Sequence, residues 1–325
     1  MLISYIGIKF IQYNLVGVES MKVNLVFEGG GILGVSFVGA YKALIERGYM
    51  IERCAGTSAG SIISALITSG YTPEELISVI NSTDFSSFFK KTKLSYIPLI
   101  GKPLSVVYNK GIYDIDVVEK WMEMLLASKG VSTFKDVMIN GQSKLKIVAA
   151  DITDRKLLIL PDDSNYFGIK PECFSIAKAV AMSCSIPLFF TPIKLKRNKQ
   201  INYIVDGGLI STYPIWIFDV EGIPKNLTLG FKIKDKISYS SIGKTNIVNY
   251  VKDLINAALN KEETTFIRDE RLVRTIIIDF DNNTKSIDFG ISKERLEYLY
   301  NCGYESTKKF FINGIHYKIK FLNNS

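Results

Sequence analysis

Apolar residues recur along this chain with two different periods. Residues 22–27 (KVNLVF) form a nearly unbroken apolar run closed by glycines, the pattern of a buried strand. Residues 35–47 (VSFVGAYKALIER) then repeat at helical spacing and stop at Gly48. A short strand at 49–54 and an apolar helix (SIISALIT) ending at Gly70 flank the sequence Gly-Thr-Ser-Ala-Gly. Pro73 opens another helix, with Thr72 placed to cap it. Further on, 144–150 and 156–160 read as a hairpin around Asp154-Arg155, and 174–183 as a helix ending before Pro187. Residues 201–205 form a strand running into Asp206-Gly207-Gly208. Strands at 226–233 and 275–280 and helices near 245–262 and 292–311 complete the pattern. Strands alternating with helices predict an α/β fold, a three-layer sandwich around a mainly parallel sheet.

One stretch fits neither period. Residues 85–112 hold five lysines (90, 91, 93, 102, 110), interleaved with Phe85, Phe88, Phe89, Tyr96 and Tyr108, and no acid. Pro98, Gly101 and Pro103 break any long helix there.

Composition narrows the class. The 325 residues are 47% hydrophobic and 22% charged, as in an ordinary globular domain. No linker or repeat is visible, so one domain is expected. Four cysteines without metal-ligand spacing read as free thiols in a reducing compartment, and a lone histidine, His316, excludes a multi-His metal site. The net charge of +8 points to an anionic partner. Lysine outnumbers arginine and no zinc finger or RNP-type signature occurs, which suits a charged surface better than base reading. Residues 2–18 are the most apolar stretch, but Lys9, Gln12 and Asn14 interrupt them and no charged leader precedes them. No clear signal peptide results, and a cytoplasmic protein is expected.

Three glycine-containing sites could carry chemistry. Gly29-Gly30-Gly31-Ile32-Leu33-Gly34 lies between strand and helix, where backbone N–H groups bind negative charge. By itself it fits a dinucleotide turn, an oxyanion turn or a plain tight turn equally. Gly56-Thr57-Ser58-Ala59-Gly60 is a GxSxG elbow in strand-to-helix context, favouring a nucleophilic Ser58 over a serine that merely caps the helix. A serine hydroxyl needs a base, and Asp206, leaving a strand before two glycines, is the best carboxylate available. Asp151 and Asp154 read as hairpin residues, and His316, on a strand-like HYKIKF segment, as exposed or packed.

Together GGGILG at 29–34, GTSAG at 56–60 and DGG at 206–208 resemble the signature blocks of the patatin-like phospholipases. Residues 174–192, which contain a Ser-x-x-x-Pro block, Lys110-Gly111-Ile112-Tyr113-Asp114 and Ser132-Thr133-Phe134 extend the likeness over roughly 22–312. Leu33 stands where the family often has a basic residue, and Thr212 where it often has Asn. The resemblance implies a lipid acyl hydrolase of phospholipase A or lysophospholipase type, working through a Ser58–Asp206 dyad and an acyl-serine intermediate. It implies oxyanion donors among Gly29, Gly30 and Gly31, with Gly34, Gly56, Gly60, Gly207 and Gly208 as motif glycines. No metal or organic cofactor is expected. The domain would span 22–312, between an extension at 1–21 and a tail at 313–325. The substrate would be a phospholipid or other acyl lipid, with peripheral contact to anionic membrane through Lys90, Lys91, Lys93, Phe88 and Phe89. No nucleic acid is expected. The competing readings are a nucleotide-binding module using GGGILG and a membrane-binding protein with vestigial catalytic residues.

Overall fold

The backbone is built around β-strands β1 (Lys22–Phe27), β2 (Met50–Thr57), β3 (Gly111–Tyr113), β4 (Met138–Ile139), β5 (Gln142–Ser143) and β6 (Leu145–Asp151). They continue with β7 (Lys156–Leu160), β8 (Leu188–Phe190), β9 (Ile193–Arg197), β10 (Gln200–Asp206), β11 (Leu227–Ile233) and β12 (Thr275–Ile278). The helices are α1 (Ser36–Ile45), α2 (Ala59–Thr68), α3 (Pro73–Ser82), α4 (Gly101–Asn109), α5 (Asp116–Ala127), α6 (Ile176–Ser183) and α7 (Lys293–Leu322). The computed structural model describes residues 21–97, 101–222, 224–234, 274–281 and 290–322. The extension at 1–20 and the helix expected near 245–262 lie outside the described residues.

Eight strands form one sheet in the order β12-β11-β1-β2-β6-β10-β9, with β7 also on β6. Strands β12, β11, β1, β2 and β6 are parallel to their neighbours, whereas β7, β9 and β10 join by antiparallel pairing. The expected α/β sandwich with a mainly parallel centre is therefore the observed architecture. Strand β1 is buried on both faces, as strands under crossover helices are. One face carries Leu25 and Phe27 into the main core, where the Phe27 ring stacks on Phe231 at 5.0 Å and meets Phe37 of α1 at 5.3 Å. The other face carries Val26 under Tyr213, Ile215 and Phe218.

Strand β6 brings two distant segments together. Its residues Leu145–Val148 pair with Cys54–Thr57 of β2, and Ala149–Asp151 pair with Asp206–Ile204 of β10. Its other edge pairs with β7. Because β2 runs parallel to β6 and β10 runs antiparallel, both strands end toward the middle of the same edge. Thr57 stands opposite Val148 and Asp206 opposite Ala149. Successive strand residues rise about 3.3 Å, so the chain after Thr57 emerges beside Asp206.

Local chemistry explains the helix starts. Thr72 Oγ1 accepts from the Glu75 N–H at 3.2 Å, and Glu75 Oε2 accepts from the Thr72 N–H at 2.8 Å, with Pro73 in the first turn. Pro103 falls in the first turn of α4, where its missing N–H has no intrahelical role, so a nine-residue helix forms inside the stretch expected to be broken. The run Lys194-Lys196-Arg197 is a strand, β9, with Ile193 and Leu195 buried and Lys194 and Lys196 outward. The HYKIKF segment is helical, not strand-like, and α7 runs through the boundary expected at 312/313.

Candidate active site

Ser58 occupies a turn that only tight packing sustains. Its φ of 51° and ψ of −124° lie in a region disfavoured for a residue with a side chain. A Cβ on Gly56 would sit 2.3 Å from the Gly60 backbone, and one on Gly60 2.4 Å from the Phe27 carbonyl oxygen. The elbow's two glycines are thus required by close backbone approach. Ser58 precedes α2, but its hydroxyl makes no capping hydrogen bond. Instead it lies close enough to the Asp206 carboxyl to draw that group's pKa down against its burial. The alternative of a capping serine fails on this point.

Asp206 is the last residue of β10 and 2% exposed. Its N–H donates to the Ser185 carbonyl at 2.9 Å, and its Oδ1 accepts from the Gly208 N–H at 2.8 Å. A Cβ on Gly207 would lie 2.4 Å from the Val148 oxygen, so glycine lets this turn press against β6. Burial pushes the Asp206 carboxyl up to about 6, against the opposing pull of the nearby Ser58 hydroxyl and the Gly208 N–H. It is ionised at neutral pH and close to the range useful for proton transfer.

The glycine turn closes the site from β1. A Cβ on Gly29 would fall 3.3 Å from Ser58 Cβ, and one on Gly34 2.8 Å from Ala59 Cβ. The turn is packed onto the serine elbow, and Gly31 and Gly34 line the same cavity as Ser58 and Ala59. The Gly29 N–H donates to the Thr212 carbonyl at 3.0 Å, so it is occupied, contrary to the expectation that all three glycines supply oxyanion donors. The N–H groups of Gly30 and Gly31 find no backbone acceptor among the described residues. Thr212 acts here through its main chain, so a Thr in that place leaves the contact intact. Leu33 is buried apolar surface, 8% exposed.

Three further groups shape the site, and the first, Ser183, is the Ser of the Ser-x-x-x-Pro block at 183–187. Ser183, fully buried at the end of α6, accepts from the Ser58 N–H at 2.8 Å and donates to the Val148 carbonyl at 2.6 Å. It ties the elbow to β6. Glu28, just before the glycine turn, accepts from the Ile233 N–H at 2.6 Å and lies 4.0 Å from Lys232, both side chains being buried. Cys184 lines the cavity beside Ser58, and burial, followed by the nearby Asp206 charge, pushes its thiol up and keeps it neutral.

From Ser58 an apolar cavity runs along α2, lined by Ala59, Ile62, Ile63 and Leu66 on one side and by Leu76, Val79 and Ile80 of α3 on another. Phe85, Phe88, Trp121 and Phe190 form the rest of its aromatic wall. Phe88 is buried, 5.1 Å from the Trp121 ring, and Phe89 packs between Tyr113 and Phe189 at 5.2 and 5.6 Å. Phe88 therefore belongs to the interior, not to an outward membrane contact, while Phe89 is half-buried within the ring cluster. Lys90 and Lys93 are exposed and Lys91 is half-buried. Asp151 and Asp154 hold the β6–β7 hairpin: Asp151 Oδ1 accepts from the N–H groups of Thr153 and Asp154 at 2.9 and 3.1 Å. The side chain of His316, on α7, lies outside the described residues.

A serine elbow facing a strand-end Asp, beside a glycine turn, defines a class, and comparison with known proteins agrees. The family model of the patatin-like phospholipases matches residues 25–219, and the chain belongs to that family. The uncharacterized protein YqhO of Bacillus subtilis is 42% identical over 202 residues, 62% of this chain and 68% of that protein. The probable lipid hydrolase 463L of invertebrate iridescent virus 6 is 30% identical over 195 residues, covering 59% of this chain and 61% of the relative. Among solved structures, VipD from Legionella pneumophila aligns over 91% of this chain and 68% of its own, with a TM-score of 0.51 at 17% identity, a likeness of fold. No described helix is long and apolar enough to cross a membrane.

Proposed function

We propose that this protein is a lipid acyl hydrolase of phospholipase A or lysophospholipase type, using Ser58 and Asp206 as a catalytic dyad. One observation carries the reading: strand register sets Ser58, on its strained elbow, beside the buried Asp206 carboxyl at the head of a hydrocarbon-walled cavity. The chain's family and the names of two relatives, the probable lipid hydrolase 463L and the fission-yeast triacylglycerol lipase ptl3, support it.

Ser58 Oγ attacks the ester carbonyl carbon while its proton passes to Asp206. The N–H groups of Gly30 and Gly31, with Ala59 at the start of α2, hold the resulting oxyanion. Each such donor is worth about 3 kcal/mol of barrier. Collapse breaks the ester bond, and the departing alcohol takes the proton from Asp206. A water then gives a proton to Asp206 and adds to the acyl-serine carbonyl. The second collapse frees the fatty acid and returns the proton to Ser58. The acyl chain lies in the cavity along α2, where burial of each methylene contributes about 0.8 kcal/mol. The enzyme reaches its ester at a lipid–water boundary as a peripheral protein. The strained elbow at Ser58 and its placement beside a buried Asp206 favour an active enzyme over a binding protein with vestigial residues.

The test is labelling with a fluorophosphonate, followed by peptide mapping, together with identification of products from mixed lipids. Adduct on Ser58 and release of free fatty acid are expected. Absence of both from folded protein refutes the reading.

A further inference from the structure

The lysine-rich segment and the β9–β10 hairpin, far apart in sequence, meet at one ring. Lys110 Nζ lies 4.8 Å from the Tyr203 ring centre, and Lys194 Nζ lies 6.0 Å from the same ring. Across the antiparallel ladder Tyr203 pairs with Lys194 and Ile201 with Lys196, so these four side chains share one face of the hairpin. Lys194 and Lys196 are exposed there, and Ile201 is 52% exposed.

Beyond Lys110, helix α4 is anchored by Ser105, which is fully buried and donates to the Gly111 carbonyl at 2.6 Å. That anchor turns Val107 and Tyr108 outward, at 70% and 66% exposure. The short turn packed on α4 presents Tyr96, 65% exposed, with Ile97 beside it and Lys91 Nζ 5.8 Å from the Tyr96 ring. Single exposed apolar side chains need no explanation, but a concentration of them among cations does.

The charge on this surface is one-sided. No acidic residue occurs between Asp84 and Asp114. Lys90, Lys91, Lys93, Lys110, Lys194 and Lys196 form no ion pair with any described residue.

We infer that this face docks on an anionic lipid bilayer. Tyr96, Ile97, Val107 and Tyr108 enter the headgroup–acyl boundary, and the lysines meet the phosphates. An acidic protein would match the lysines but gives no role to apolar tips that project without a groove between them. The inference rests on the hydrolase reading for its purpose, and the geometry joins the two. The segment that ends in this surface begins at Phe85 and Phe88, which line the cavity.

The test uses the full chain and vesicles of phosphatidylcholine, with and without phosphatidylglycerol. Binding by flotation requires no catalysis, and hydrolysis of a soluble short-chain ester requires no vesicle, so the two readings fail separately. Wild type is expected to float with anionic vesicles at low salt, to detach at high salt and to leave neutral vesicles largely unbound. A Lys194→Glu/Lys196→Glu variant should lose affinity about tenfold or more, since each lysine near such a surface contributes about fivefold. A Val107→Asp/Tyr108→Asp variant should lose vesicle binding and vesicle hydrolysis together. All these side chains are exposed, so both variants should keep wild-type melting curves and soluble-ester turnover. Equal binding to neutral and anionic vesicles, or wild-type flotation by either variant, overturns the inference.

Discussion

Replacing Asp206 by Asn removes a charge that burial disfavours while keeping the side chain's shape. The Oδ1 acceptor for the Gly208 N–H survives, and the new amide can donate to Ser58 Oγ. The folded-state pKa, raised from 3.8 to about 6, corresponds to about 3 kcal/mol at ~1.4 kcal/mol per unit. Below pH 4 the carboxyl is neutral in both the folded and unfolded chains and costs nothing. Between pH 4 and 6 the unfolded chain ionises first, so wild-type stability falls as pH rises. Above pH 6 the full cost is present. Asp206→Asn should therefore match wild type near pH 4 and exceed it by up to about 3 kcal/mol at pH 8. Urea unfolding of both proteins at the two pH values measures the difference. The same variant should have lost ester hydrolysis, and wild-type kcat/KM should decline below pH 6 as Asp206 takes up a proton. A variant less stable than wild type at pH 8, or a gap independent of pH, would refute the account of Asp206 as a buried carboxylate held in readiness.

Ser58→Ala should abolish esterase activity in a folded protein, and combining it with Asp206→Asn should add little, because the pair acts as one unit; full activity in purified Ser58→Ala defeats the mechanism. His316→Ala should keep near-wild-type turnover, and a loss of about 100-fold, equivalent to ~2.7 kcal/mol, would favour a triad instead. Ser183→Ala leaves the Ser58 N–H and the Val148 carbonyl without their shared partner, which should cost about 1–3 kcal/mol of stability. It should lower kcat with KM little changed, and a change confined to KM would remove Ser183 from the positioning of the nucleophile. Val79→Phe fills part of the cavity and should slow hydrolysis of long-chain esters by about tenfold, or ~1.4 kcal/mol, while short-chain esters react as before; equal rates on both would place the acyl chain elsewhere.

The sequence alone determined the parts of this protein that depend on local backbone geometry. The elbow glycines, the Asp206-Gly207-Gly208 turn and the glycine turn after β1 are legible because close approach or unusual dihedrals demand glycine where they fall. The buried strand β1, the capped start of α3 and the alternation of strands with helices follow from period and capping chemistry. Ser58 and Asp206 could be picked out because a hydroxyl needs a base and few candidates stand at strand ends. Strand β9 follows from the same period, since Ile193, Lys194, Leu195 and Lys196 alternate strictly.

The tertiary structure decided what depends on contacts between residues far apart in the chain. The meeting of Ser58 with Asp206 is a consequence of register: β2 and β10 share one edge of β6 and end at Val148 and Ala149. The Ser-x-x-x-Pro block pointed to the segment around Ser183, but only the fold shows that Ser183 accepts from the Ser58 N–H. Composition marked residues 85–112 as aromatic and basic, but it could not say which rings point inward. The fold turned Phe88 into the cavity wall and Tyr96 and Tyr108 toward solvent. It also supplied the burial that raises the Asp206 pKa, since a residue's desolvation is a property of everything packed around it.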